Sequence, residues 1–153
     1  GTGTHPTTKL CLDWIRENNI DDKSLIDYGT GSGILAIVSK LYGADYVVGA
    51  EIDKKAIDNA IQNCKKNDIQ IPFIDLNKTS IHEKFDFLIA NILSNTLIQL
   101  STTFKTLAKK KIILSGILDK QVPNVINAYS DWIILKQTKN LEGWNLLEGK
   151  IIT

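Results

Sequence analysis

Gly29, Gly31 and Gly33 stand at alternating positions between two apolar runs, Ser24 to Tyr28 and Ile34 to Tyr42. Such a turn lets backbone N–H groups approach a ligand closely. A helix starting at Ile34 would aim its free donors at the same place. The chemistry on offer is main-chain recognition of a small charged group, with Asp27 just before the turn. The spacing also discriminates. A dinucleotide fingerprint reads G-x-G-x-x-G, but counted from Gly29 the sixth position is Ile34, and counted from Gly31 it is Ala36. Glu51 follows Gly29 by 22 positions, close to the roughly 20-residue offset of an acid that accepts ribose hydroxyls. A carboxylate there suits a free 2′,3′-diol and repels a 2′-phosphate.

Three other polar residues follow apolar runs. Asp53 immediately precedes the segment starting at Lys54 and reads as a helix N-cap. Asp75 reads either as an acceptor for an adenine amine or as a solvated loop residue. Asn91 reads either as a group that orients an amine or as a helix cap. His5, in the opening Thr/Pro segment, reads either as a residue near the site or as a structural one in its loop, and His82 falls in a polar loop.

These residues need elements to position them. Leu10, Cys11, Trp14 and Ile15 recur at helical spacing, so Thr7 to Asn18 is predicted helical. Further helices are expected over Ile34 to Tyr42, closed by Gly43, and over Lys54 to Asn67, Asn95 to Leu107 and Asp119 to Tyr129. Strands are expected over Ser24 to Tyr28, Asp45 to Ala50, Ile69 to Ile74, Phe85 to Ala90 and Lys110 to Leu114. Trp132 to Gln137 and Trp144 to Ile152 read as an antiparallel pair around Asn140 to Gly143. Strand–helix alternation predicts a doubly wound α/β fold. Its mostly parallel sheet is covered on both faces and ends in that C-terminal antiparallel hairpin. Ligands then bind at the carboxyl ends of the strands.

Composition sets the outer bounds. The 153 residues amount to one ordinary domain, large enough to fold without a disulfide or metal staple. Lys plus Arg is 18 and Asp plus Glu is 17, a net charge of +1. That balance argues against direct nucleic-acid binding, which needs a basic excess. The Lys109-Lys110-Lys111 run reads as a solvated strand entry in preference to an RNA patch. Cys11 and Cys64 have no paired spacing and read as reduced apolar fillers of a cytoplasmic protein. No metal-ligand spacing, membrane-length apolar run or signal of oligomeric state is present.

The G-x-G-x-G turn resembles the first motif of S-adenosylmethionine-dependent methyltransferases. More specific segments are Gly1-Thr-Gly-Thr-His-Pro-Thr-Thr8, Ala90-Asn-Ile-Leu93 and Leu114-Ser-Gly-Ile-Leu118. In this order they resemble the catalytic domain of the ribosomal protein L11 methyltransferases, over nearly the whole chain. The resemblance implies a Rossmann-like methyltransferase fold and cofactor contacts from Thr8, Gly29, Glu51 and Asn91, alongside the turn residues Asp27, Gly31 and Gly33. The strand-two acid is usually Asp in that family, so Glu51 reaches farther by a methylene. With Met absent and the chain opening inside the first motif, the expectation is a fragment. It would lack the family's N-terminal substrate-recognition domain, bind the cofactor and capture its protein substrate poorly.

The implied reaction moves methyl groups from S-adenosylmethionine to amines of a large-subunit ribosomal protein, leaving S-adenosylhomocysteine. Asn91 is followed by Ile92 and Leu93 instead of a Pro-Pro-aromatic run that orients flat amines, which favours a lysine side chain or an N-terminal amine. Asn91 is the candidate catalytic residue, and no residue is an obvious general base. Trp14 and Trp132 read as packing residues, whereas Trp144 either packs or lines the substrate mouth. The alternatives are a methyltransferase for another protein or a small amine and, less favoured, an NAD-linked oxidoreductase.

Overall fold

The computed structural model describes residues 5–152, so the first four residues of the opening motif lie outside it. Helix α1 (Pro6–Glu17) begins with a proline, which has no N–H to leave unpaired, and is capped by His5. Then come β1 (Ser24–Tyr28), α2 (Ile34–Leu41), β2 (Tyr46–Glu51), α3 (Lys54–Lys66), β3 (Phe73–Asp75) and β4 (Phe85–Asn91). The chain continues through α4 (Ser94–Gln99), α5 (Ser101–Leu107), β5 (Ala108–Leu118), a 3-10 turn (Asp119–Gln121), α6 (Val122–Tyr129), β6 (Lys136–Leu141) and β7 (Trp144–Lys150).

The seven strands form one sheet in the order β3-β2-β1-β4-β5-β7-β6. Pairings from β3 through β5 are parallel, and β7 joins β5 and β6 antiparallel. The doubly wound fold expected from the alternation is therefore present, with the hairpin at its edge. The direction of winding reverses between β1 and β4, where such sheets open a crevice. Among the described residues no helix is long and apolar enough to cross a membrane.

Alternate residues of the central strands feed two cores. Leu25, Phe87, Ile89 and Ile113 pack with Trp14 and Ile15 of α1 and with Leu35 and Ala36 of α2. Ile26, Leu88, Ala90, Ile112 and Leu114 pack on the other face with Leu97, Phe104, Leu107 and Val125. The period-two split is what a sheet buried on both faces demands. Both cysteines are free and buried, and burial pushes the Cys11 thiol up to about 12, against a lowering by Ser115 and with a further rise from Asp27.

Several elements differ from the sequence expectation, each for a local reason. β3 is three residues long, not six, because Ile69 folds back to donate to the Cys64 carbonyl and Pro72 has no N–H for a ladder. The predicted helix over Asn95 to Leu107 is two helices meeting at Leu100. That junction is tied to α6, since Ser101 Oγ donates to the Ala128 carbonyl and accepts from Trp132 Nε1. The fifth helix opens as a 3-10 turn, with Pro123 in the first turn of α6. β5 runs on past Leu114 through an irregularity at Ser115-Gly116, because β7 keeps pairing with it as far as Leu118↔Trp144. β6 begins at Lys136, not Trp132; it is a sheet edge, so its polar run Gln137 to Asn140 faces solvent and masks a strand. The hairpin turn narrows to Glu142 and Gly143, both at positive φ.

Candidate functional site

A cavity of about 970 Å³ opens over the carboxyl ends of the parallel strands. Its lining brings together Thr8 from α1, Gly29 after β1, Glu51 at the end of β2 and Asn91 at the end of β4. These are the four positions that the resemblance assigned to cofactor contact. Asp27, Gly31 and Gly33 are not among the lining residues; they build the turn beneath it.

The turn is held from below. Asp27 is 1% exposed, and its Oδ2 accepts from the Thr30 hydroxyl at 2.7 Å. Its Oδ1 is buried with no hydrogen-bond partner. Burial lifts this carboxyl to about 7; the Thr30 hydroxyl and the nearby Ala36 amide, which is not in hydrogen-bonding geometry, pull it down, while the charge of Glu51 adds to the rise. Gly29 has φ 78, and a Cβ there would stand 2.6 Å from Ile92 Cγ2. The position therefore excludes a side chain twice, by backbone conformation and by space.

Glu51 is the hub between the turn and the second strand. Its Oε1 accepts the Gly31 N–H at 3.0 Å, and its Oε2 accepts the N–H groups of Ile52 and Asp53 at 2.9 and 3.0 Å. A carboxylate has about four acceptor sites, so this half-buried group keeps capacity toward the cavity while it shapes the loop. Glu51 thus joins the loop after β1 to the loop after β2 through one side chain. Asp53 caps α3 by accepting from Lys55 N, as its sequence position suggested. Asp75 is not a lining residue; its Oδ1 accepts from Asn77 N and its carbonyl from Lys78 and Thr79, so it builds the turn after β3.

The three segments that were most specific in sequence meet here. Asn91 Nδ2 donates to Thr8 Oγ1 at 3.3 Å, and Ser115 Oγ donates to the Thr7 carbonyl at 2.9 Å. Gly116, at φ 94, lets the Ile92 backbone pass so closely that a Cβ would lie 2.4 Å from the Ile92 carbonyl oxygen. The opening motif, the Asn91 loop and the Ser115-Gly116 irregularity thus fix one another, and a short side chain or none is required at each contact. α4 begins at Ser94 with no side-chain cap, so Asn91 is not its N-cap.

His5 also lines the cavity, and its Nδ1 accepts from Thr7 N at 3.2 Å and lies 2.8 Å from Thr7 Oγ1. In this arrangement Nδ1 serves the helix cap and is not free to take a substrate proton. Trp144 lines the cavity as well and meets the His5 ring edge-on at 5.6 Å. Sequence reasoning missed the apolar lining, namely Tyr28, Ile52, Leu76 and Leu100, together with Thr96. The usable signal for Ile52 was its place directly after the strand-two acid. His82 is exposed and outside the cavity.

Residues 1–151 match the family model described as ribosomal protein L11 methyltransferase (PrmA). A curated relative of that name from Cupriavidus pinatubonensis is 39% identical over 151 residues, covering 97% of this chain and 50% of the relative. One from Paraburkholderia phymatum is 40% identical with the same coverages. The chain thus spans about half the length of the curated relatives it matches. The crystal structure of a ribosomal protein L11 methylase from Lactobacillus delbrueckii subsp. bulgaricus superposes with a TM-score of 0.90 at 28% identity, covering 99% of this chain and 81% of that one. A magnesium protoporphyrin IX methyltransferase from Synechocystis, solved with bound SAM, shares the fold at a TM-score of 0.73 and 17% identity.

Proposed function

We propose, from the premise that the chain belongs to the ribosomal protein L11 methyltransferase family, that it binds S-adenosylmethionine and directs methyl transfer to amines of a large-subunit ribosomal protein in the cytoplasm. The acceptors are lysine side chains or the N-terminal amine. The observation that carries this reading is the convergence of Thr8, Gly29, Glu51 and Asn91 on one cavity.

The residues fit such a donor in kind. Glu51 keeps about one acceptor position for a ribose hydroxyl, at the end of the strand next to the turn. Gly29 keeps the main chain bare where an amino-acid moiety would lie. Ile52, 63% exposed, gives with Tyr28, Leu76 and Leu100 an apolar surface suited to a purine. When bound, S-adenosylmethionine supplies a sulfonium methyl: the N–C bond forms as the C–S bond breaks, the electron pair goes to sulfur and S-adenosylhomocysteine leaves.

The protein's own contribution is alignment. Asn91, fixed through Thr8, presents a side-chain carbonyl that can accept an N–H of the acceptor and point its lone pair inward. A lysine ammonium, with a pKa of about 10.4 in water, must lose a proton first. Desolvation in the cavity and a neighbouring positive sulfur both favour that loss, and the proton leaves to water.

Calorimetry with S-adenosylhomocysteine and with NAD tests the donor. Binding of the former alone is the expected result, and binding of NAD alone would overturn the reading. Labelled methyl transfer by the full-length enzyme to the ribosomal protein, compared with other proteins and small amines, tests the acceptor.

A further inference from the structure

At the amino end of the sheet, away from the candidate site, Lys84, Lys109, Lys110, Lys111 and Lys150 line a recess of about 830 Å³. They come from three neighbouring strands: Lys84 precedes β4, Lys109 to Lys111 lie at the start of β5, and Lys150 ends β7. Topology makes them converge, because the antiparallel β7 brings its last residue beside the first residues of β5. Lys111 and Lys150 are direct register partners, and like charges facing each other across two strands are destabilising. The fold itself gains nothing from placing these two ammonium groups together.

Counter-charge is scarce. Among the described residues, Asp86 is the one acid in ion-pair range of these lysines, 3.9 Å from Lys110 and 4.0 Å from Lys109, and its Oδ2 is already engaged by Ser24. The Lys84, Lys111 and Lys150 side chains make no ion pair with any described residue. Glu83, next to Lys84, accepts the Tyr46 hydroxyl at 3.0 Å and does not line the recess. Five lysines against Asp86 leave a local excess of four positive charges in a chain whose net charge is +1, so the remainder is net negative. Beneath the lysines the surface is apolar. Phe87 and Ala108 are buried, Ile151 is partly buried, and Ile152 is 80% exposed.

We propose that this end of the sheet docks an acidic segment of a partner protein, with carboxylates set against Lys84, Lys111 and Lys150 and an aliphatic side chain covering Ile151 and Ile152. Charge complementarity selects an anionic partner, and the apolar floor selects among anions. A single nucleic-acid strand would bring phosphates, but it also needs exposed rings on which bases stack. The aromatic side chain of the recess, Phe87, is 6% exposed, and the rest of the chain lacks the basic excess of a nucleic-acid binder. An acidic peptide segment brings carboxylates and aliphatic side chains together, the combination that cations around an aliphatic floor require. The recess lies at the opposite strand ends from Gly29, Glu51 and Asn91, so a partner held here leaves the candidate site open.

The test measures binding of fluorescent probes to the 153-residue chain at low salt by anisotropy. The probes are a short peptide rich in Glu and Leu, the same peptide with Gln for every Glu, a Glu-only peptide of equal charge, and an oligouridylate. The Glu/Leu peptide is expected to bind at least about tenfold more tightly than the other three, and to weaken as added salt screens the lysines. Lys111→Gln combined with Lys150→Gln should weaken it about five- to tenfold, through the loss of two exposed pairs. Tm should be no lower than wild type, because the two charges repel each other. Lys84→Gln should weaken it in the same sense, and it carries the test if the double variant fails to fold. Lys65→Gln combined with Lys66→Gln, on the exposed end of α3, should leave affinity within about twofold. An oligouridylate that binds as tightly or more tightly would make the recess a nucleic-acid face and overturn the proposal. Equal binding of the Gln or the Glu-only peptide would overturn it too, by removing charge or the apolar floor from recognition. So would binding of none of the probes, or an equal loss in the α3 variant, which would reduce the effect to overall charge.

Discussion

The two ends of the parallel sheet carry recesses of similar size, about 970 Å³ at the carboxyl end and about 830 Å³ at the amino end. Their chemistry differs. At the carboxyl end, half-buried acceptors and main-chain turns from four strands converge, and most polar groups there already hold one another. At the amino end, Lys84, Lys109, Lys110, Lys111 and Lys150 surround an apolar floor formed by Phe87, Ala108 and Ile151. Asp86 stands among the lysines, 3.9 Å from Lys110 and 4.0 Å from Lys109. Volume therefore does not identify the site; mutual positioning of side chains does. The asymmetry follows from topology. β1, β2 and β4 each leave their carboxyl ends into a short loop before the next helix, and those loops bring donors and acceptors together.

The largest expected effect comes from breaking the better-organised end. Gly29→Ala forces a side chain into left-handed backbone, at about 1–2 kcal/mol, and drives its Cβ against Ile92. S-adenosylhomocysteine affinity should fall about a hundredfold or more by calorimetry. A variant that binds as wild type would mean the turn does not approach the donor.

Glu51→Ala comes next. It removes the acceptor for three N–H groups, and with it the site proposed for the ribose. Hydrogen bonds to a charged group contribute about 1.5–3 kcal/mol, so affinity should drop by roughly ten- to a hundredfold. Glu51→Asp should lose less, and its residual deficit measures what the longer arm contributes. If Glu51→Ala weakens stability but leaves affinity unchanged, Glu51 only organises the loop.

Asp27→Asn tests the buried support beneath the turn. A carboxyl raised to about 7 in the folded protein binds its proton more tightly than in the unfolded chain. Its favourable contribution is then full below about pH 4 and is lost as pH rises through about 7. The wild-type Tm should carry a decline over that interval that Asp27→Asn lacks, read by thermal melts at pH 5 and pH 8. Identical slopes would mean that Asp27 ionises normally.

Much of this was legible in the sequence, for identifiable reasons. The Gly29 turn, Glu51 and Asn91 each follow an apolar run, so strand ends and candidate site residues were read together. Asp53 as a cap followed from its place before Lys54. What escaped the reading depends on tertiary partners. The break at Leu100 rests on α6 holding Ser101, and β6 is hidden by its polar edge face. The extension of β5 through Gly116 rests on its continued pairing with β7 and on the close passage of the Ile92 backbone, both tertiary. The apolar half of the cavity was invisible for a similar reason: Tyr28, Leu76 and Leu100 come from the end of β1, the turn after β3 and the α4–α5 junction, and nothing local marks them as neighbours.

The smallest expected effect lies at the amino end. Burial disfavours the Asp86 carboxylate, but the Ser24 N–H and the charges of Lys109 and Lys110 together hold its pKa below the ordinary value. Ser24 N donates to Asp86 Oδ2 at 2.9 Å, and Asp86 N donates to Ser24 Oγ at 2.8 Å, so β1 and β4 remain clamped without either lysine. The lysines are about half exposed at the edge of ion-pair distance, where such pairs contribute about 0–1 kcal/mol. Lys110→Ala should therefore change stability by about 0.5 kcal/mol or less, with S-adenosylhomocysteine affinity unchanged. The depressed Asp86 pKa gives stability that is present above the carboxylate's unfolded value and lost as pH falls through the folded one. Any cost of Lys110→Ala should thus appear near neutral pH and fade in acid. A loss of donor affinity comparable to that of Glu51→Ala would instead tie the lysine end to the cofactor and erase the distinction between the two recesses.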